Sequence, residues 1–414
     1  MTADKNLDPM LKKRASRFVL LTVLIYALGF GIIMPVLPDL IRHLAHVDAP
    51  EAARIGAWIG ATYGLFSVLF MPMVGNLGDR FGRRPIFLIS LFAFGADFLL
   101  MGFAPSIGWL FVGRALAGGL GAVFGPANAA MADMSTPEDR ASSFGKVGAA
   151  FGLGFMLGPV LGGFLGEFGP RIPFFVAGGL AIANGIYGWF TFPETMAKEQ
   201  QRPFEWKRAN PLGAFASLRR INGIIPIAII YFLWAIASGI YPATWSFFAP
   251  IQYGWDSRMV GISLGVVGVS MVVFQAFVIR PAIVRFGERK TAYIGMASGI
   301  FGYLCVAFIP YGGIILGVFL VNGFSGLGPP SLNAMMSKRT PPSQQGELQG
   351  LIGSLTALAM MLAQLTFNFT LAAFTEAGAV IRFAGAPFLI AAAIGGTALV
   401  TLLLLPKADA ATNG

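Results

Sequence analysis

Two charged residues lie inside long apolar runs, where a charge is costly. Asp97 belongs to the run LFAFGADFLLMGFAP (91–105), which contains no Lys or Arg. Arg114 lies in the next run, beyond the short connection APSIG. If both runs are helices, each charge lies about 8–9 residues from the connection, or roughly 13 Å along its helix. The two side chains should therefore meet at one depth on neighbouring antiparallel helices.

Two interpretations of this pair are open. Asp97 and Arg114 can form a static ion pair that only holds the two helices together. Alternatively, Asp97 is a working carboxylate that exchanges protons or meets a cationic part of a substrate, with Arg114 controlling its protonation. The second interpretation requires that the pair opens during the working cycle.

The elements around the pair are predicted to be membrane helices. The chain has 414 residues, of which 56% are hydrophobic and only 12% are charged, whereas soluble domains carry about 25% charged residues. The apolar runs are roughly 20 residues long, the length that crosses a bilayer as a helix. Few runs alternate between apolar and polar residues, as the strands of a membrane β-barrel would. The single cysteine excludes a disulfide framework within the chain.

The fold class that follows is an all-α integral membrane protein with twelve transmembrane helices. The predicted spans lie near 17–40, 55–76, 84–103, 107–131, 142–166, 172–192, 222–247, 258–279, 290–309, 313–336, 347–372 and 382–405. Most of the 29 Lys and Arg residues fall on the side of the termini, and the other side receives only Arg42, Arg54, Arg171, Arg258 and Arg382. The positive-inside rule therefore places both termini in the cytoplasm. The net charge of +10 is explained as a topology signal, and nucleic acid is not an expected partner.

The sequence also divides into two similar parts. The polar stretch 197–220 separates two sets of six spans, which predicts an N-terminal bundle (1–196), a cytoplasmic linker (197–220) and a C-terminal bundle (221–414). GNLGDRFGRRP (75–85) after the second span is echoed by RPAIVRFGERK (280–290) after the eighth. Two six-helix repeats are typical of a transporter whose site lies between them near the midplane.

The motifs make a resemblance specific. The chain resembles the major facilitator superfamily over its whole length, and within it the tetracycline-exporter branch of the drug:proton antiporters. The segments that carry the resemblance are GIIMPVLP (31–38), GDRFGRRP (78–85), FVGRALAG (111–118), GLGFMLGPVLGGFLGE (152–167), GWDSRMVG (254–261) and QQGELQGLIGSL (344–355). The resemblance implies the fold of that superfamily and proton-coupled transport.

Two motifs receive a role from this resemblance, and each also has a purely structural interpretation. The loop after the second span implies a cytoplasmic gate made by Gly75, Gly78, Asp79, Arg80, Gly82, Arg83 and Arg84, with Asp133 as a partner. Its charges can instead be topology signals beside a tight turn. The second copy has Val284 in place of Asp79, so we expect it to be degenerate. In the fifth span, an antiporter motif is implied for Gly154, Gly158, Pro159 and Gly162, although small residues can also serve helix packing alone.

A set of polar and aromatic residues is predicted to line a substrate cavity. It comprises Tyr26, Tyr63, Asn128, Tyr231, Trp234, Gln275, Asn322 and Gln364. Any of the polar members can instead join helices to one another. Tetracycline exporters carry acidic residues in spans one and nine and a histidine in span eight, and the matching positions here hold Tyr26, Gly299 and Met271. The resemblance to that branch therefore implies that the cavity of this chain is more apolar and less charged than that of the tetracycline exporters.

The sequence thus predicts a proton-coupled exporter of amphipathic small molecules that works by alternating access as a monomer in the cell membrane, with tetracycline-like compounds as one candidate cargo. A carrier for a physiological metabolite or lipid, in either direction, is the alternative within the same class. A transport-dead membrane sensor is the alternative from another class. We expect no enzymatic activity, no cofactor and no metal site, because no nucleophile–base pair, ligand set or phosphate-binding loop is present.

Overall fold

The computed structural model describes residues 9–121, 123–136, 139–197, 199, 201–204, 223–341 and 344–406, and the regular elements among them are all helices. Residues 1–8, most of the predicted linker 197–220 and residues 407–414 lie outside this part of the chain. Within it, twelve helices are long and apolar enough to cross a bilayer. The predicted fold class is confirmed.

We number these membrane helices α1 to α12, and three of them consist of two segments, a and b. They are α1 Pro9–Ile33, α2 Ala49–Phe81, α3 Arg83–Phe103, α4a Ile107–Leu120, α4b Phe124–Asp133, α5 Arg140–Gly166, α6 Ile172–Thr191, α7a Ile225–Ser238, α7b Ile240–Tyr253, α8 Ser257–Phe277, α9 Ile279–Phe308, α10a Gly312–Val321, α10b Gly328–Lys338, α11 Gln345–Thr375 and α12 Ala386–Leu404. The 3₁₀ turn Asn322–Leu327 joins α10a to α10b.

The first predicted span, 17–40, extended too far. Helix α1 ends at Ile33, and a separate short helix, Leu37–Ala45, follows after a turn. Pro38 stands in the first turn of this short helix, where proline is favoured because its missing N–H would be unpaired anyway. The short helix packs onto the bundle through Pro38, Leu40 and Ile41, which are buried.

Two groups of six helices meet at an interface that is repeated. Helices α1–α6 contact mainly one another, and so do α7–α12. The largest contacts between the groups are made by α2 with α11 and by α5 with α8. Because α2 and α8 are the second helices of their groups and α5 and α11 the fifth, the two contacts are related by an approximate two-fold axis.

Glycines allow these two contacts to be close. On α2, a Cβ atom at Gly56, Gly60 or Gly64 would collide with Phe247, Gln364 or Met361 of the other group, respectively. On α8, a Cβ atom at Gly261, Gly265 or Gly268 would collide with Pro159, Val160 or Met156 of α5, respectively. Small residues let helix backbones approach in this way. Neither glycine stripe was predicted from the sequence.

The two groups are in contact at the predicted outer side and separate toward the inner side. At the outer end, Arg54 pairs with Glu376 at 2.8 Å and Arg258 pairs with Glu167 at 3.2 Å. Along α5, a Cβ atom would lie 2.7 Å from Ser257 O at Gly163, but it would meet nothing within 4 Å at Gly148. The interface therefore opens toward the side on which we predict the termini.

We expect Gly261→Leu to destabilise the closed outer side. The added side chain would collide with the Pro159 carbonyl, and overpacking of this kind costs roughly 1–3 kcal/mol. Labelling of a cysteine at the outer end of α8 by a membrane-impermeant thiol reagent should become faster. Gly396→Leu is the matched control, since a Cβ atom at Gly396 would meet nothing within 4 Å. Equal labelling rates in the two variants would contradict this account of the interface.

Candidate functional site

Asp97 and Arg114 form an ion pair in the interior of the N-terminal group. Arg114 on α4a donates from Nε to Asp97 Oδ1 at 3.3 Å and from Nη2 to Asp97 Oδ2. The Asp97 side chain on α3 is fully buried, and Arg114 is 5% exposed. The short connection between α3 and α4a thus brings the two charges together, as the spacing predicts. Removing one partner of a buried pair typically costs about 3–5 kcal/mol, because it leaves an uncompensated charge.

The residues around the pair explain how the guanidinium is accommodated. Gly113 allows α4a to approach α3, since a Cβ atom there would lie 2.7 Å from Asp97 Oδ1. The Arg114 guanidinium lies over the rings of Tyr63 and Phe98, 5.7 Å from each centroid. An aromatic face attracts a cation that has little contact with water. The site is therefore a charged pair with an aromatic wall on the guanidinium side.

Two of the predicted cavity residues belong to this wall. The hydroxyl of Tyr63 on α2 lies 3.4 Å from the hydroxyl of Tyr26 on α1. Tyr26 is buried and packs against Phe94 at 4.5 Å between ring centroids. Tyr26 therefore places a neutral hydroxyl beside Tyr63 at this point of the site.

A second polar cluster lies in the C-terminal group at the interface. Asn368 on α11 donates to Gln364 Oε1 at 3.1 Å and to the Ala243 carbonyl at 3.0 Å, and it accepts from Thr244 at 2.9 Å. Gln364 covers Gly60 of α2, which is one turn along that helix from Tyr63. Gln364 therefore reaches the surface shared by the two groups.

Three of the predicted cavity residues join helices of the C-terminal group instead. Tyr231 hydrogen-bonds to Thr356 at 3.0 Å, and Asn322 donates to the Tyr241 hydroxyl at 3.3 Å. Trp234 is 1% exposed, with its indole against glycines of α9, α10b and α12. In the conformation described here these three side chains pack within their own group, and their place in a substrate cavity stays a prediction. Asn128 on α4b is half-buried, and Gln275 on α8 is exposed.

The predicted gate loop is a compact set of ion pairs at the inner side. Gly82 adopts a φ of 96° between α2 and α3, a conformation that other residues rarely adopt. Arg83 then pairs with Asp79 at 2.7 Å and with Asp133, at the end of α4b, at 3.1 Å. Arg84 donates to the Trp189 carbonyl near the end of α6 at 2.7 Å, while the Arg80 guanidinium lies over the ring of Phe81.

The glycines of the same motif make room for this arrangement. A Cβ atom at Gly78 would lie 3.3 Å from Arg83 Nη1, so a larger residue would crowd the arginine. Gly75 lines a cavity of about 190 Å³ between α2, α3 and α4b, close to Arg83. The motif thus combines three arginines with glycines that leave space for the Arg83 side chain.

Glu194 completes the loop, and its role was not predicted from the sequence. Its carboxylate accepts hydrogen bonds from the backbone N–H groups of Arg83 at 2.8 Å and Arg84 at 3.1 Å. A carboxylate is stabilised at a helix N-terminus, where N–H groups are unpaired. A Cβ atom on Gly82 would collide with this carboxylate. The available signal was an acidic residue directly after the sixth span, but nothing in the sequence connects it to α3.

Comparison with known proteins decides the family. A model described as Major Facilitator Superfamily matches residues 19–364. The chain belongs to the major facilitator superfamily. It is 36% identical over 347 residues to the tetracycline resistance protein, class C, of Escherichia coli, covering 84% of this chain and 87% of the relative.

A more distant relative and a solved structure extend the comparison. The chain is 25% identical over 344 residues to multidrug resistance protein 2 of Bacillus subtilis (strain 168), covering 82% of this chain and 84% of the relative. The structure of a D-xylose-proton symporter superimposes with a TM-score of 0.75 at 17% identity, covering 97% of this chain and 99% of that one. This structural likeness supports the superfamily fold and says nothing about cargo.

The glycines of the predicted antiporter motif in α5 contact helix α1, whereas other residues of α5 contact α8. In this member of the superfamily, Gly154, Gly158 and Gly162 face the backbone of α1 within the same group, and a Cβ atom at Gly158 would lie 2.6 Å from the Leu28 carbonyl. Pro159 packs against Gly31 of α1, while its carbonyl faces Gly261 of α8. Helix α5 continues through this proline. The motif therefore couples the α1–α5 contact to the interface between the groups.

We expect Gly158→Leu to abolish transport while the protein still inserts into the membrane. The side chain would force α1 away from α5 and so shift the surface of α5 that meets α8. Substrate flux in vesicles, normalised to the amount of inserted protein, measures the effect. Gly179→Leu on α6 is the control, because a Cβ atom at Gly179 would meet nothing within 4 Å. Wild-type flux in Gly158→Leu would mean that this contact is dispensable.

Proposed function

We propose that this chain exports amphipathic small molecules from the cytoplasm in exchange for protons, by alternating access between two six-helix halves. Membership of the superfamily and the relatives named as tetracycline and multidrug resistance proteins support this assignment. The observation that carries the proton coupling is the buried pair of Asp97 and Arg114. Within the described membrane helices, Asp97 is a buried carboxylate, and Arg114 is the cation that pairs with it.

The pair suits proton coupling because a carboxylate in contact with a cation and a carboxylate without one favour different protonation states. With Arg114 in contact, Asp97 is stabilised as an anion inside the membrane. A carboxylate that loses its counter-ion in an apolar environment is more stable when protonated. If cargo or a helix movement draws Arg114 away, Asp97 takes up a proton, and return of the arginine releases it. Tyr63 and Phe98 supply an aromatic surface on which the guanidinium retains some stabilisation meanwhile.

The proposed cargo is amphipathic and carries few charges. At position 299, which matches an acidic position of the tetracycline exporters to within one residue, a Cβ atom would lie 2.5 Å from Trp234 Cη2. This niche is filled by an indole and has no room for a carboxylate. Together with Tyr26, this replacement favours amphipathic compounds over a charged metal–tetracycline complex.

The proposed cycle assigns roles to the two ends of the molecule. The halves 1–196 and 221–414 move as units, and the contacts between them at the outer side alternate with contacts at the inner side. We propose that the loop with Asp79, Arg83 and Asp133 belongs to the inner gate. The conformation described here, with the outer side closed, is then the one that receives cargo from the cytoplasm.

Substitution of Asp97 separates the working role from the structural one. We expect Asp97→Asn to lose proton-driven flux in vesicles, because the amide cannot ionise, while insertion is retained. The double variant Asp97→Asn/Arg114→Gln removes both charges and thus the cost of an unpaired cation. A static pair predicts that flux returns in the double variant, whereas a working carboxylate predicts that it stays absent. Asp39→Asn, in an ion pair outside the membrane helices, is the control and should transport normally.

Reporter fusions test independently which side of the protein faces the cytoplasm. We expect reporter fusions in the linker 197–220 and at the C-terminus to be active only as cytoplasmic proteins, because Lys and Arg concentrate on that side. Activity of a periplasmic-type reporter at the linker would reverse the gate assignments as well.

A further inference from the structure

A series of hydrogen bonds at the interface begins with Asn368 of α11, whose orientation is determined by its partners. The backbone carbonyl of Ala243 on α7b can only accept a hydrogen bond. The Asn368 atom that contacts this carbonyl at 3.0 Å must therefore be the amide nitrogen, Nδ2. The Asn368 oxygen then accepts from the Thr244 hydroxyl at 2.9 Å. Because Asn368 is fully buried, solvent offers it no alternative partners.

The second N–H of Asn368 determines which way the Gln364 amide points. Asn368 Nδ2 donates it at 3.1 Å, and the atom that receives it must be the Gln364 oxygen, Oε1, because an amide nitrogen does not accept. The same oxygen would lie 2.7 Å from a Cβ atom on Gly60 of α2. Oε1 therefore lies between Asn368 and α2, and the nitrogen Nε2 is turned away from Asn368. Within the described part of the chain, Nε2 has no hydrogen-bond partner.

Gln364 lies near the inward edge of the closed contact between α2 and α11. The contact continues one turn farther inward, where Met361 covers Gly64 of α2. Gly353 precedes Gln364 by about three turns of α11 and lies on the same face of the helix. A Cβ atom at Gly353 would meet nothing within 4 Å, so no neighbour covers this face of α11 at that depth. The half-buried Gln364 amide therefore lies close to the point where the opening between the halves ends.

We propose that Gln364 is a specificity-determining residue whose Nε2 donates a hydrogen bond to a carbonyl oxygen of the cargo, and that Asn368 is the positioning residue that orients it. The inference rests on the proposed export function. An amide whose oxygen is already engaged offers two N–H donors. Such a site prefers a compound with a carbonyl group over its analogue without one, because the analogue leaves a buried donor unpaired. The cargo class is thereby narrowed to amphipathic molecules that carry a carbonyl oxygen.

Two tricyclic probes test this preference by binding alone. Fluorenone carries a carbonyl group where fluorene carries a methylene group, and the two are otherwise alike. Both dissociation constants are measured on purified protein in lipid nanodiscs. In Gln364→Met, which keeps the side-chain length but has no donor, we expect the ratio of the two constants to shift against fluorenone by about three- to tenfold, the range of one neutral hydrogen bond. The different hydrophobicities of the probes cancel in this comparison with the wild type.

A second glutamine of the same helix provides the matched control. Gln349 is exposed on α11, and Gln349→Met should keep the wild-type ratio. An unchanged ratio in Gln364→Met would overturn the inference, and so would a wild-type protein that binds neither probe. An equal shift in both variants would also overturn it, because the effect would then not depend on the place of the amide.

The positioning role of Asn368 has its own readout. Asn368→Leu removes the hydrogen bond that holds Gln364 Oε1, so the amide can rotate, and we expect the ratio to shift toward that of Gln364→Met. Asn368→Ala gives the same comparison if the leucine prevents folding. A purely structural role would lower the amount of folded protein but leave the ratio at its wild-type value, which would contradict the proposal.

Flux distinguishes this inference from the proposed function. Proton-driven flux is measured separately in vesicles that contain the wild-type chain. If the chain shows no flux but binds the probes with the expected ratio, the proposed function fails and the carbonyl site stands. If it shows flux but Gln364→Met binds the probes in the wild-type ratio, only the inference about Gln364 fails.

Discussion

Helices in a bilayer gain little by burying apolar side chains against each other, because lipid tails solvate those side chains equally well. Close approach of backbones must supply much of the contact instead, and glycine allows it. Helix α5 depends on this twice, since Gly154, Gly158 and Gly162 meet α1, and Gly163 meets the start of α8. The placement of α5 therefore determines both how the N-terminal half is built and how the two halves meet.

The ion pairs of this structure are of two kinds, buried and partly exposed. The pair of Asp97 and Arg114 is buried, so separating it exposes a charge to an apolar environment at high cost. The pairs at the two ends, such as Arg54–Glu376 and Glu288–Lys338, are partly exposed and cost little to exchange. Conformational change can thus rearrange the ends readily, whereas the centre opens only when something replaces the missing partner. In the proposed cycle, that difference links movement of the halves to the protonation of Asp97.

The features predicted correctly from the sequence are those determined by local spacing. Runs of apolar residues gave the twelve helices, and the short hairpin between α3 and α4a brought Asp97 to Arg114 as its length requires. The contacts that were missed join residues far apart in the chain, such as Glu194 with Arg83 and Glu288 with Lys338. The glycine spacing in α5 indicated a flat surface, but spacing alone does not say which neighbour covers it. The packing of Trp234 against glycines of three helices could not be predicted for the same reason, since an aromatic residue suits a cavity wall and a packed interior equally well.

The niche around Gly299 has an evolutionary consequence. The indole of Trp234 fills it and also contacts Gly328 and Gly395. An acidic side chain introduced at position 299 would have to displace that indole, and the space left beside α10b and α12 would then need new side chains. An acidic residue at position 299 is therefore coupled epistatically to the residues at positions 234, 328 and 395.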